Sequence, residues 1–206
     1  MALRMVHDLI KKYEDHGIVL DFLPQGHSDD PRPIHLREPV AQILGDTFFT
    51  LLEAVPMKDV ALTPHESVYI GKDRRDKVER IRRRIGYEEL TAGAKAELPT
   101  AVEELVNETP ERFIEFFNRA APLTTRFHQL ELIPGIGKKL MWGIIEERKR
   151  GPFADFKDLT KRVKGLPHPE KLVAKRIVME LEGVDRYRVF VRPPARRHED
   201  EGGPLR

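Results

Sequence analysis

Leu132-Ile133-Pro134-Gly135-Ile136-Gly137-Lys138-Lys139 sets the course of the second half of this 206-residue chain. Upstream, Leu123, Phe127 and Leu130 recur at helical spacing between Leu123 and Glu131. Downstream, Leu140, Met141, Ile144 and Ile145 do the same between Lys138 and Arg150. The stretch therefore reads as a very short turn between two helices. Pro134 cannot continue the first helix, and it pushes Ile133 towards an extended backbone. Gly135 and Gly137 are free to take positive φ, and Ile133 and Ile136 are placed to anchor the turn on a core. The first N–H groups of the second helix lack intrahelical partners, and the helix dipole adds a positive end there. With two glycines leaving the backbone accessible and Lys138 and Lys139 adding charge, the stretch suits a phosphate. It has no means of reading a base.

The hydrophobic-Pro-Gly-hydrophobic-Gly core from Ile133 to Gly137 resembles the hairpin of the helix-hairpin-helix family. The plain alternative is a helix–helix turn whose glycines are only caps. A second helix–glycine–helix pattern follows. Gly151 and Pro152 end the Lys138 helix, and Asp155 caps a helix holding Leu159 and Val163. Lys164-Gly165-Leu166-Pro167-His168-Pro169 then leads into a helix with Leu172, Val173, Ile177 and Leu181, ended by Gly183. This copy lacks the second glycine, and Pro167 and Pro169 remove two N–H donors. Packing is its first role, with Lys164 and Gly165 as candidate phosphate contacts. Between Lys157 and Arg176 stand seven bases and two acids.

The first half reads differently. Gly17–Leu23, Val40–Leu44, Thr47–Val55 and Ser67–Gly71 read as strands, with Gly45-Asp46 as a two-residue hairpin turn and 24–33 as a loop. Short strands in such density suggest a small OB-like barrel, on which Phe22, Phe48, Phe49 and Tyr69 are candidates for base stacking. If the strand over Thr47–Val55 is regular, at most one of Phe48 and Phe49 is core. Arg74–Arg84 carries seven bases against two acids. Val78, Ile81 and Ile85 form one stripe, so we read a helix with a basic outer face. That face is either merely solvated or a phosphate-binding surface built from Arg74, Arg75, Arg80, Arg83 and Arg84. From Gly86 to Asn118 the balance reverses. Thr100 to Glu103 reads as a capping box opening a short helix, and Thr109-Pro110 opens another carrying Phe113, Phe116 and Phe117. We expect this region to pack between two lobes. Residues 1–12 show one short amphipathic turn, Tyr187–Val191 a last strand, and 192–206 a disordered tail.

Composition narrows the function. Net charge is +2, so the chain is not a polycation, and there is no Cys, hence no disulfide, thiolate catalysis or Cys-ligated zinc. The apolar runs are too short to span a membrane, and the start has no signal-peptide pattern, so we expect a cytoplasmic protein without membrane partners. Two Asn and three Gln beside abundant Arg and Glu fit a thermophile. His16, His27, Asp29, Asp30 and His35 match no regular metal-site spacing, and we expect neither metal nor cofactor. Glu147-Arg148-Lys149 resembles an element of a repair-nuclease family, but the Asp that family needs next is Phe153 here. Asp155 and Asp158 stand where a hairpin glycosylase keeps its catalytic Asp, yet both fit helix caps better.

The stretches YEDHGIVLDFLPQG (13–26), RFIEFFNRAAPLTTRFHQLELIPGIGKK (112–139) and EERKRGPFADFKDLTKRV (146–163) together resemble the archaeal family known as domain of unknown function 655. The resemblance covers roughly residues 10 to 192. It implies an OB-like barrel joined to a helix-hairpin-helix domain, and RNA binding without an assigned reaction. The expectation is thus an α+β chain: a barrel over 13–73, a basic helix and acidic connector over 74–118, and an all-α helix-hairpin-helix domain over 119–185. Its function would be non-enzymatic binding of nucleic acid through the backbone, RNA before DNA. A DNA-repair protein with glycosylase or nuclease activity is the alternative.

Overall fold

The computed structural model describes residues 13–192. The chain is α+β: the described residues form a curled five-stranded antiparallel sheet followed by five α-helices. The strands are β1 (His16–Leu23), β2 (Val40–Gly45), β3 (Leu51–Pro56), β4 (Ser67–Tyr69) and β5 (Val78–Arg84), in the order β4-β1-β2-β3-β5. The edges β4 and β5 share no ladder, so the sheet is a half-barrel rather than a closed one. Both faces are apolar, and adjacent residues alternate between them. Ile18, Leu20, Leu44 and Leu51 face the helices. Val19, Ile43, Leu52 and Ala54 face the other way, towards Leu62, Val68, Ile70 and Val78.

The helices are α1 (Ala92–Glu108), α2 (Pro110–Arg119), α3 (Lys138–Lys149), α4 (Phe156–Arg162) and α5 (Pro169–Glu182). Helix α1 lies between the sheet and α5, packing on β1 with one side and on α5 with another. Its Leu98, Ala101, Val102 and Leu105 join the sheet's helix-facing residues and Ile133, Ile144, Leu159, Val173 and Ile177 in one apolar core. The two lobes of the sequence reading therefore share their interior. His65 fastens the loop after β3 to α1, with one ring nitrogen 2.8 Å from Glu97 and the other 2.8 Å from Glu104. Those two carboxylates, Glu97 first, hold its pKa above the usual histidine value.

Five expectations need correction. Residues 74–84 are not a helix: 78–84 form β5, paired with β3, so the boundary after residue 73 cuts the sheet. Gly45-Asp46 is not a two-residue hairpin turn. Glu14 lies across that corner and accepts N–H bonds from Thr47, Phe48 and Thr50, which delays β3 to Leu51. Gly45 makes room for it, because a Cβ there would stand 2.2 Å from the Glu14 side chain. Thr100 opens no helix. Helix α1 starts nine residues earlier on the cap of Thr91, whose hydroxyl accepts from Ala94 N–H, and it runs through Pro99. Residues 123–131 are not a helix either. Pro122 and His128 bridge around a tight loop, and only a short 3-10 turn, Gln129–Leu132, follows. Finally, 187–191 form no strand. Glu180 inside α5 accepts the N–H groups of Val189, Phe190 and Val191 instead.

Of the candidate stacking residues, Phe49 is buried against Phe113 and Phe48 is half-buried beneath Arg192. Phe22 and Tyr69 are partly buried. Phe113 and Phe117 are core, as their place between sheet and helices requires. The expectations for residues 1–12 and 193–206 lie outside the described residues.

Candidate functional site

The two glycine turns are built alike. In the first, Ile133 and Ile136 are buried, Ile136 N–H donates to Ile133 O at 3.0 Å, and Gly135 has φ +88°. In the second, Val163 and Leu166 are buried, Leu166 N–H donates to Val163 O at 3.3 Å, and Gly165 has φ +87°. Within the two turns, these are the glycines that need the left-handed region. Gly137 does not: its φ of −83° and ψ of 179° are extended, and an added Cβ would meet nothing within 4 Å. The expected positive φ at Gly137 is thereby corrected.

Each turn rests on the opposite helix. A Cβ on Gly135 would stand 3.6 Å from Leu172 in the first turns of α5, and one on Gly165 would stand 4.0 Å from Leu140 in the first turn of α3. The starts of α3 and α5 are thus neighbours. Gly143 lies against Val163, a Cβ there being 3.6 Å from the valine methyl. Buried Arg176 of α5 donates to Leu132 O at 3.2 Å, just ahead of the first turn, and to Glu180 at 2.8 Å.

The two helix starts differ in charge. Gly137 caps α3 without a side chain, and no acid lies in that first turn. Lys139 is exposed. Lys138 Nζ donates to Arg126 O at 3.2 Å and lies 3.3 Å from Glu131. Glu131 accepts from His128 N–H, and that bond, with Lys138, holds its carboxyl below the usual range. Beneath it, burial keeps the His128 pKa low, and its ring Nδ1 accepts from Leu130 N–H. At α5 the cap is His168 in the left-handed region, Pro169 occupies the first helical position, and Glu170 stands in the first turn, 3.2 Å from the His168 ring.

The structure sets residues 135–139 beside the helix that follows Gly165, and Gly165 beside the helix that follows Gly137, with Lys164 exposed next to Gly165. It places Arg74, Arg75, Arg80, Arg83 and Arg84 elsewhere, on the edge strand of the sheet and the loop before it. There Arg80 pairs with Glu38 at 2.7 Å, and Arg83 pairs with Glu53 at 3.1 Å and with Glu89. The expected basic face is therefore partly neutralised in place. Arg75 and Arg84 have neutral partners: Gly71 O at 2.8 Å and Thr50 Oγ1 at 2.9 Å.

Sequence reasoning missed Leu140 and Leu172 as the pair that seats the turns. Their signal was an apolar residue one turn into each helix, which core packing explains equally well. It also missed Trp142, the one tryptophan of the chain, 57% exposed and one turn beyond Lys138 and Lys139. The residues that resemble repair-enzyme elements also make structural contacts. Arg148 donates to the carbonyls of Phe117, Asn118 and Ala120 and so closes α2, Asp155 caps α4, and Asp158 pairs with Arg162. No helix among the described residues is long and apolar enough to cross a membrane.

Similar proteins agree with the extent of this unit. An uncharacterized protein of Methanocaldococcus jannaschii is 45% identical over 184 residues, 88% of this chain and 82% of its own length. The crystal structure of Af1531 from Archaeoglobus fulgidus, 49% identical, superposes with a TM-score of 0.81 over 87% of this chain and 100% of that one. A family model described as a protein of unknown function, DUF655, matches residues 13–192, the same span the structure describes. The chain belongs to the DUF655 family.

Proposed function

We propose that this protein binds nucleic acid without turning it over, holding backbone phosphate at the start of α3. The observation that carries the reading is the pair of reciprocal glycine turns, one with an uncapped, acid-free helix start beside Lys138 and Lys139. On this reading the turns form a double helix-hairpin-helix unit, and the half-barrel is an OB-like module in front of it. Gly137 lets a phosphate approach the first N–H groups of α3, where dipole and lysines act together. The second turn supports the first, and its contribution to binding is the smaller, because Glu170 and Pro169 occupy the equivalent place. Contacts of this kind carry no sequence information, so affinity should vary little among unrelated strands of equal length. RNA is preferred to DNA on the family resemblance.

Quenching of Trp142 fluorescence, or anisotropy of labelled RNA and DNA, measures binding against salt. Each phosphate neutralised on a single strand contributes about 0.7 to the slope of log affinity on log salt. Lys138→Gln with Lys139→Gln should lower that slope by about 1.4, and the nucleic acid should be recovered intact. An unchanged slope sinks the assignment of the turn. Cleaved strands or released bases would point to a repair enzyme instead.

A further inference from the structure

The unpaired edges β4 and β5 leave a slot of about 440 Å3 in the half-barrel. Its floor is apolar, formed by Leu52, Ile70 and Ile81 from the inward face of the curl. Tyr13 stands at its mouth with 59% of its surface exposed. The rim carries Lys72, Arg75, Arg83 and Arg84, of which Arg83 is already paired with Glu53 and Glu89.

Apart from Arg83, the cations of this rim differ in what they touch from those paired elsewhere on the sheet. Arg32 meets Asp30, Lys77 meets Glu66, Arg80 meets Glu38 and Arg83 meets Glu53. At Lys72, Arg75 and Arg84 the partners are neutral. Arg75 donates to the carbonyls of Gly71 and Glu79, and Arg84 donates to the Thr50 hydroxyl. Lys72 Nζ sits 4.6 Å over the Tyr13 ring. A guanidinium has five N–H donors, so both arginines keep charge and donors for an anion. The acid that lines the slot, Glu14, already accepts from the N–H groups of Thr47, Phe48 and Thr50. An apolar floor, an exposed phenol ring and two donor-rich cations match one ligand chemistry: a planar base carrying a phosphate. The volume lies within the usual range for small-ligand clefts.

We propose that this slot binds a nucleotide, its base on the floor beside Tyr13 and its phosphate on Arg75 and Arg84. The site shares no residue with the glycine turns and does not depend on their function. The same chemistry is offered by a free nucleotide and by one unit of a single strand.

Full-length protein irradiated with a 4-thiouridine-substituted oligouridylate, then digested and sequenced, gives the test. The crosslink should map to Tyr13 and fall about tenfold in Arg75→Gln/Arg84→Gln, as loss of charge-assisted bonds to phosphate predicts. Competition by uridine monophosphate would assign the slot to free nucleotides, and competition by oligouridylate alone would assign it to a strand. Either result supports the site. A crosslink that avoids Tyr13, or one equally strong in the double variant, overturns it. If the double variant fails to fold, Tyr13→Leu replaces it: the exposed ring can be lost without harm to the core, and affinity for the oligomer should drop about tenfold. Unchanged affinity overturns the proposal. A missing Tyr13 crosslink with a reduced salt slope in Lys138→Gln/Lys139→Gln removes the slot and keeps the turn. The reverse pattern keeps the slot and removes the turn.

Discussion

The first glycine turn and the second are nearly the same piece of backbone with different ends. Both place a buried apolar residue, a left-handed glycine and another buried apolar residue in order, at 133-135-136 and 163-165-166. Both seat the glycine against a leucine of the opposite helix. Beyond that they part. After Ile136 comes one glycine and a helix start without side-chain cap or acid; after Leu166 come Pro167, His168 and Pro169, with Glu170 in the first turn. Packing fixes what the turns share, and on the proposed function ligand capacity resides in what they do not. A turn can keep its place in the fold while its helix start is filled with the chain's own proline and carboxylate.

The comparison assumes that the turns form one mechanical unit, and Arg176 is the means of testing it. Its guanidinium joins α5 to Leu132 O and to buried Glu180, which itself holds Val189, Phe190 and Val191. Arg176→Met should cost about 3–5 kcal/mol, since it leaves a buried carboxylate without its counter-charge. Amide exchange at Ile136 and Leu166 should speed up together. If only one of the two amides responds, the turns are independent and the comparison breaks.

A smaller effect sharpens the shared half. Gly135→Ala and Gly165→Ala each force a Cβ into the left-handed region, at a cost of about 1–2 kcal/mol. The two losses should match within experimental error in urea titrations, because φ is +88° and +87° and the neighbouring leucines stand at ordinary contact distance. Unequal losses would mean that one turn carries strain that the other does not.

The sequence made the turns legible because their signals are local: a proline, a glycine, apolar residues on either side, a capping Asp. It misled where distant groups override the local pattern. Val78, Ile81 and Ile85 repeat as on a helix, but they lie on and just beyond β5. Its ladder with β3 skips Glu79, so a bulge stretches the two-residue step between Val78 and Ile81 to three, while Ile85 packs in the opposite core. A bulge is set by the partner strand and leaves no mark in the run itself. Leu123, Phe127 and Leu130 have helical spacing as well. There Thr124 diverts the backbone by accepting Arg126 N–H, and the Pro122–His128 bridge closes the loop. The corner after β2 was hidden for a third reason, since Glu14, about thirty residues earlier, supplies the carboxylate that shapes it. The slot between β4 and β5 was invisible for the same cause. Tyr13, Lys72, Arg75 and Arg84 share no spacing, and only the curl of the sheet brings them together.

The smallest expected change separates the differing half of the two turns from the shared half. Gly137 is the cap of α3 and has an extended backbone with open space where a Cβ would stand. Asp fits that conformation and is among the best residues at a helix N-cap. Its carboxylate would accept an N–H from the first turn and meet the positive end of the helix dipole, so Gly137→Asp should stabilise the fold by about 0.3–1 kcal/mol. The same carboxylate would occupy the place assigned to a phosphate and repel it, giving α3 an acid in its first turn region as Glu170 gives α5. The variant should therefore melt slightly higher and bind RNA several-fold more weakly. A structural turn with no ligand would show the first change alone. Gly137→Asp protein that gains stability and still binds RNA at wild-type affinity and salt slope would make the two turns equivalent and leave the phosphate site unlocated.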